Sequence, residues 1–433
     1  MTILLIAGFF NQDIQRQNIF KKNYYFPQWV IRLFGLPSRV GQLNDNAPWI
    51  TDLISFFETR KDINLHVIGP KIRLKKRLSE FEMRGVKYHL FSSEWTSFLR
   101  ITEKYSLWKT FQLSGYYTRK ILNKVKPDLV VLSGAENPAV AVSIFSAAKY
   151  PRYCLCQTVY NNPERTRFGL LKKINQETEL EIFSQLRFFG VYSKLHYDLL
   201  KSINPGAIVF KFNFPTRCNL LESINVKKQY DFVNYALMHG ERKGTPDTIK
   251  ALAIVKNIFP KVTLNIVGGC DESIRIKLNE KVKDLGLEEN VTFTPFFEKK
   301  SELLQHVQKS RFAVLPCKLD HISRTMTQSM QLGLPLVVYK TTGTPAFNRE
   351  KECVLIAEKG NVEALAQHML TLMEHPEKAE LLARNAREYQ EKNAERYKED
   401  GERLIENFKA IIENYQHGTS IPQNQLFNPE TED

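Results

Sequence analysis

Residues 310–339 read SRFAVLPCKLDHISRTMTQSMQLGLPLVVY. Phe312–Leu315 is an apolar run of strand length, and Pro316 ends it. A polar turn follows, the spacing over Met326–Leu332 predicts a helix, and Pro335–Tyr339 is a second strand-like run. Strand, turn, helix and strand in this order make a βαβ unit, which implies a parallel sheet with helices on its faces. The pattern extends upstream. Phe232–Leu237 reads as a strand, Pro246–Ile258 as a helix and Thr263–Val267 as a strand ending in Gly268-Gly269. A helix over Ser273–Leu285, a strand over Val291–Thr294 and a helix over Lys300–Ser310 complete the set.

The first half alternates in the same way. Apolar runs lie at Ile3–Ala7, Leu65–Ile68, Val86–Phe91, Leu129–Leu132 and Tyr153–Cys156, with helical spacing at Ile50–Thr59 and Leu113–Val125. A chain of 433 residues is long enough for two cores. The expected fold is therefore α/β: two Rossmann-like doubly wound domains facing an interdomain cleft. They would span 1–215 and 216–394, with the joint near Phe212–Glu222, where Asn213-Phe214-Pro215 interrupts the periodicity. Pro376 to Tyr415 reads as a charged helix whose part near 395–416 packs back on the first domain, and 417–433 as a disordered tail. Between the first strand and Pro48 runs a long stretch of aromatic and basic residues, including Phe20, Lys21, Lys22, Trp29, Arg32 and Phe34. Loops of that length serve function or flexibility.

Charge is distributed unevenly. Residues 1–215 hold 31 Lys and Arg against 16 Asp and Glu, while the remainder holds 30 against 31, so the whole excess of +14 traces to the first half. Such asymmetry suits an anionic partner: a membrane surface, a phosphorylated acceptor or a nucleic acid. No apolar run is long enough to span a bilayer. The apolar start, Met1 to Gly8, lacks the basic lead and cleavage site of a secretion signal and reads as a first core strand. The six cysteines are scattered without a second close pair, so they read as reduced core thiols of a cytoplasmic protein, and no zinc site is expected.

No phosphate-binding G-x-x-x-x-G-K-[ST] loop, no G-x-G-x-x-G after the first strand and no H-E-x-x-H is present. Three strand-end loops in the second half remain. Glu241-Arg242-Lys243-Gly244-Thr245-Pro246 leads from a strand into a helix, where free amides, the dipole and a lysine together suit a diphosphate. An ordinary loop with a solvated charge pair reads equally well. Pro316 to Thr325 repeats the arrangement, with Ser323 or Thr325 as helix cap and Asp320 at the strand's carboxyl end. Asp320 and Ser323 could equally do no more than shape the turn. Thr341-Thr342-Gly343-Thr344-Pro345 is a third such loop.

The order of these pieces resembles the donor domain of glycosyltransferase family 4, a GT-B family. Lys243-Gly244, then Ile266-Val267-Gly268-Gly269, then Val291 to Pro295, then Pro316 to Asp320, then Gln328 to Val338, then Gly343 to Ala346 follow its motif sequence. The likeness covers about a third of the chain, from roughly Phe232 to Leu372. It implies a retaining, metal-independent transfer of sugar from a nucleoside-diphosphate sugar, with no cofactor. It further implies that Asp320 and Lys243 carry the chemistry, Asp320 at the donor sugar and Lys243 at the diphosphate. Gln328, eight positions after Asp320, would meet the ribose; Arg242, Gly244, Gly268, Ser323, Arg324 and Thr325 would line the donor. The family has glutamate at both positions of that pair, and its donor arginine falls here on Met238 or Leu237. On the acceptor side the family's His-Asp corresponds to Tyr160-Asn161.

Lys71-Ile72-Arg73-Leu74-Lys75-Lys76-Arg77-Leu78 places five cations within seven residues on an expected helix, which could hold the protein against the anionic inner face of the cell membrane. A solvated basic face is the alternative. The expected partners are a nucleotide sugar and a saccharide or lipid-linked acceptor, in bacterial surface-polysaccharide or lipopolysaccharide assembly. The competing readings are an inactive or scaffolding homologue, a GT-B sugar-nucleotide epimerase and, against the diffuse charge and absence of a recognition module, a nucleic-acid-binding protein.

Overall fold

The computed structural model describes residues 1–8, 12–17, 19, 47–71, 74–92, 112–162, 170–215, 226–318 and 322–430. The chain divides into two compact units, Met1–Arg217 together with Arg396–Asp433, and Cys218–Glu395. Each is built on a largely parallel sheet, as the βαβ reading expects.

The first unit holds β1 (Thr2–Ile6), β2 (Asn64–Lys71), β3 (Leu78–Met83), β4 (Val86–Ser92), β5 (Leu129–Ser133), β6 (Arg152–Leu155), β7 (Phe188–Val191) and β8 (Ile208–Lys211). Their order in the sheet is β3-β4-β2-β1-β5-β6-β7-β8. Both faces are buried, which accounts for continuous apolar runs instead of alternation. In β6, Tyr153 and Leu155 enter one core cluster, while Cys154 and the following Cys156 enter the other. All pairings are parallel except the β3–β4 hairpin, turned at Arg84-Gly85 with φ of 51° and 77°. Two positive φ values give the turn a twist that matches its strands.

That hairpin corrects the reading of Lys71–Leu78 as a basic helix. Lys71 closes β2 opposite Ser92, Leu74 is buried, and Leu78 opens β3 opposite Phe91. Pairing with β4 overrides the local pattern, as tertiary context commonly does for short segments. Lys75, Lys76 and Arg77 are exposed. The aromatic and basic stretch at 20–34 lies outside the described residues.

The helix Pro376–His417 places Leu404, Ile405, Phe408 and Ile411 in the core of the first unit, and Phe408 stacks on Phe57 with ring centroids 6.1 Å apart. Residues 418–430, expected to be disordered, are instead tied down. The Phe427 amide donates to the Val209 carbonyl (2.9 Å), its ring stacks on Tyr197 (5.3 Å), and Leu426 bridges Phe210. β8 is the edge strand of its sheet, so its backbone groups would otherwise go unpaired, and the tail covers them.

The second unit holds β9 (Tyr230–Met238), β10 (Leu264–Gly269), β11 (Val291–Thr294), β12 (Ser310–Leu315), β13 (Leu336–Tyr339) and β14 (Leu355–Ala357). Their order is β11-β10-β9-β12-β13-β14, parallel throughout. The winding direction reverses between β9 and β12. In open α/β sheets ligands bind outside the carboxyl ends of the strands at such a reversal.

Candidate donor site at the reversal of the second sheet

After β9 the chain makes a short turn over Glu241–Lys243, passes Gly244 at φ 68°, and enters the helix Thr245–Lys256 with Pro246 in its first turn. A proline there loses no hydrogen bond. Gly244 is required twice over: its φ is left-handed, and a Cβ on it would stand 2.1 Å from the Pro316 carbonyl oxygen. Gly268 has the same character on β10, where a Cβ would meet the Ala236 carbonyl at 1.8 Å.

Buried His239 anchors this loop from beneath. One ring nitrogen, Nε2, lies 2.9 Å from the Val267 carbonyl and the other, Nδ1, lies 2.9 Å from the Thr245 hydroxyl. Since a carbonyl only accepts, Nε2 carries the hydrogen and Nδ1 accepts from Thr245. Burial lowers the His239 pKa, and the ring stays neutral near pH 7.

The second loop follows β12 through Pro316, Cys317 and Lys318 and re-enters at Ile322. Asp320, the first catalytic candidate, lies outside the described residues. Ser323 caps the helix Arg324–Gln331: its hydroxyl accepts from the Met326 amide at 3.4 Å and meets the Thr325 hydroxyl at 2.9 Å. Tyr235 on β9 fixes the same turn, donating to the Thr325 carbonyl at 2.7 Å and meeting Ser329 at 3.0 Å. Gln328 is buried on this helix. The third loop is closed by Thr344, whose hydroxyl donates to the Tyr339 carbonyl (3.1 Å) and accepts from the Thr341 amide (2.8 Å).

The first two loops are joined directly. The Lys318 amide donates to the Arg242 carbonyl at 3.0 Å, and its ammonium reaches Asp247 at 2.8 Å and Glu241 at 3.4 Å. Asp247, itself buried, also accepts from the Tyr339 hydroxyl at 3.0 Å. Burial alone would lower the Lys318 pKa, but the Asp247 and Glu241 carboxylates outweigh it and the net shift is upward.

The structure thus brings Arg242, Lys243 and Gly244 against the start of the loop that leads to Ser323, Arg324 and Thr325. Gly268 ends the adjacent strand β10. Two strand-end loops, one basic and one opening on a helix start, can meet an anion with charge and amides. Tyr160 and Asn161 belong to the other unit, just after β6. Their amides donate to buried Glu179 at 2.8 and 2.9 Å, and the Asn161 side chain donates to Glu179 (2.8 Å) and to the Gln176 carbonyl (3.2 Å). The Asn161 amide group therefore holds its own loop in place. Among the described residues no group of three His, Cys, Asp or Glu could hold a metal ion.

Residues 220–389 match the family model for glycosyl transferases group 1. No curated protein matches the sequence. Among solved structures the chain is similar to sucrose-phosphate synthase of Thermosynechococcus elongatus, at a TM-score of 0.64 and 14% identity, covering 95% of this chain and 99% of that one. It is also similar to HepE of Anabaena, solved with UDP and glucose (0.62, 15%, 94% and 99%). A glycosyltransferase of Rickettsia africae gives 0.64 at 12%, covering 95% and 99%. The group 1 match thus lies on the unit that carries the joined loops, and the chain shares the GT-B fold of these glycosyltransferases over nearly its whole length.

Proposed function

We propose that the chain moves a sugar from a nucleoside-diphosphate sugar to a saccharide or lipid-linked acceptor, with retention of anomeric configuration and without a metal ion. The observation that carries this reading is the junction of the β9 and β12 loops at the sheet reversal. There the Lys318 amide meets the Arg242 carbonyl and Gly244 packs on Pro316, beside Lys243, and the chain that leaves this junction opens the helix capped by Ser323. Leaving-group charge on the diphosphate is then met by cations and amides instead of a metal. Asp320 would face the donor sugar and Gln328 the ribose. The alternative of a GT-B epimerase would share this donor site and need no acceptor.

HepE was solved with UDP-glucose, and a pneumococcal O-GlcNAc transferase with UDP and GlcNAc. These neighbours make UDP the first nucleotide to try here. An acceptor in bacterial surface-polysaccharide or lipopolysaccharide assembly fits the basic first half. The exposed Lys75, Lys76 and Arg77 would offer it an anionic membrane surface, and sedimentation with anionic vesicles at low salt tests that part. Among the described residues no helix is long and apolar enough to cross a membrane.

The test of the main reading is thermal stability against UDP, GDP, ADP, CDP and dTDP, with and without magnesium. A ligand at about 100 times its dissociation constant stabilises by ~2.7 kcal/mol. For a unit of this size that raises Tm by roughly 5–10 °C. One nucleotide acting without magnesium supports the proposal; no shift with any of the five overturns it.

A further inference from the structure

We propose that Lys318 is a positioning residue of the donor site, the clamp that holds the Arg242–Lys243 turn in register with the loop after β12. This rests on the reading of that turn as the diphosphate-binding element.

The bonding pattern carries the inference. Lys318 binds the first loop by two independent routes, its backbone amide to the Arg242 carbonyl (3.0 Å) and its ammonium to Asp247 (2.8 Å) and Glu241 (3.4 Å). Asp247 is itself fixed by the fully buried Tyr339 of β13, through a 3.0 Å hydrogen bond. Three neighbouring segments, the helix start that follows the β9 loop, the start of the loop after β12 and the end of β13, are thus tied at one carboxylate. Beneath the tie the backbones touch, since no Cβ fits between Gly244 and Pro316. Arg242 lies inside the tied turn and Lys243 follows it directly, so the tie governs where their charges stand. Small displacements of charged groups at a diphosphate are costly, a shift of about 1 Å being worth up to about a hundredfold in rate.

Neither structural support nor donor reading alone distinguishes this role, so the test separates them. Full-length protein is titrated calorimetrically with UDP, GDP, ADP, CDP and dTDP and with the matching monophosphates. The proteins compared are the wild type, Lys318→Met, Lys318→Arg, Asp247→Asn and the double variant Lys318→Met/Asp247→Asn. The double variant removes both charges and so leaves no buried carboxylate unpaired if the single lysine change impairs folding. Expected is a loss of about tenfold in diphosphate affinity for Lys318→Met, about 1.4 kcal/mol. Monophosphate affinity stays within about twofold, Lys318→Arg recovers most of the loss, and the double variant is no weaker than Lys318→Met, because coupled partners are non-additive. Equal losses for mono- and diphosphate with a lower Tm would reduce Lys318 to a structural residue. Undiminished diphosphate binding in Lys318→Met and in the double variant would overturn the inference while leaving the donor site standing. A wild type that binds none of the nucleotides would overturn the donor reading, and the inference with it.

Discussion

Replacing Gly244 by alanine tests the geometry of the loop junction most sharply, because the same unit supplies a control in Gly286, just after the helix Glu272–Asp284. Gly244 has φ 68° and Gly286 has φ 62°, so alanine at either position meets the same left-handed backbone cost, about 1–2 kcal/mol. The two differ in what the new methyl meets. At Gly286 nothing lies within 4 Å; at Gly244 the Pro316 carbonyl oxygen stands at 2.1 Å. The backbones must part by about 1 Å there, an overpacking cost of about 1–3 kcal/mol. Gly244→Ala should therefore lose about 2–5 kcal/mol and Gly286→Ala about 1–2. At about 2–4 °C per kcal/mol, the Tm of the first variant should fall below that of the second by roughly 2–12 °C, read by calorimetry or circular dichroism. Nucleoside-diphosphate binding should weaken in Gly244→Ala alone. Equal Tm losses in the two variants would refute the close approach of the β9 and β12 loops.

Three further outcomes follow from named contacts. Lys243→Ala should lower kcat/KM by at least ~10²-fold, like the loss of one preorganised donor; steady-state kinetics with full turnover would remove Lys243 from the donor site. His66 is held to about 4 against 6.5, chiefly by burial and then by the charges of His89 and nearby Lys87 and Lys124, with Glu80 opposing. The unfolded chain takes up a proton near 6.5 that the folded chain refuses until about 4, so stability present at neutral pH is lost as pH falls through that window. The loss is at most about 3 kcal/mol, and His66→Gln should flatten the Tm–pH curve; an unchanged slope would count against this assignment. Phe427→Ala should cost about 3 kcal/mol by denaturant unfolding, since its ring is buried against Tyr197; a loss within ~0.5 kcal/mol would mean the tail does not pack.

What the sequence shows and hides follows the range of the interactions. β9, β10 and β12 were readable because a strand buried on both faces is an apolar run, and Gly244 and Pro246 mark a helix start by their own backbone chemistry. The Ser323 cap is likewise local. Lys71–Leu78 misled because cations spaced with Leu74 and Leu78 satisfy a helical period, and only pairing with β4 decides otherwise. β7, β8 and β14 are three or four residues long, and so short an apolar run does not by itself separate a strand from a buried helix segment. The tail misled for a related reason: Phe427 is a lone aromatic in a polar segment, and the strand edge it covers begins more than two hundred residues earlier in the chain. His239 stands two residues before the Glu241–Pro246 loop yet carries no sign of its role. Its partners, Val267 and Thr245, become neighbours only when β10 pairs with β9.

The same holds, with more consequence, for Lys318, Asp247 and Tyr339. In sequence they are a lysine after Pro316-Cys317, an acid in the first turn of a helix and the end of an apolar strand, and the Asp247–Tyr339 pair is separated by 92 positions. A buried ion pair adds little net stability, because desolvation cancels most of the attraction, and apolar residues of like size would serve a core as well. What the charges add is direction. The ammonium, the carboxylate and the phenol fix the angle at which two backbones leave a sheet where its winding reverses, and an apolar filling fixes no angle. Their place at the carboxyl ends of β9, β12 and β13, beside Arg242 and Lys243, is where such orientation matters for ligand binding and where stability alone would not require it.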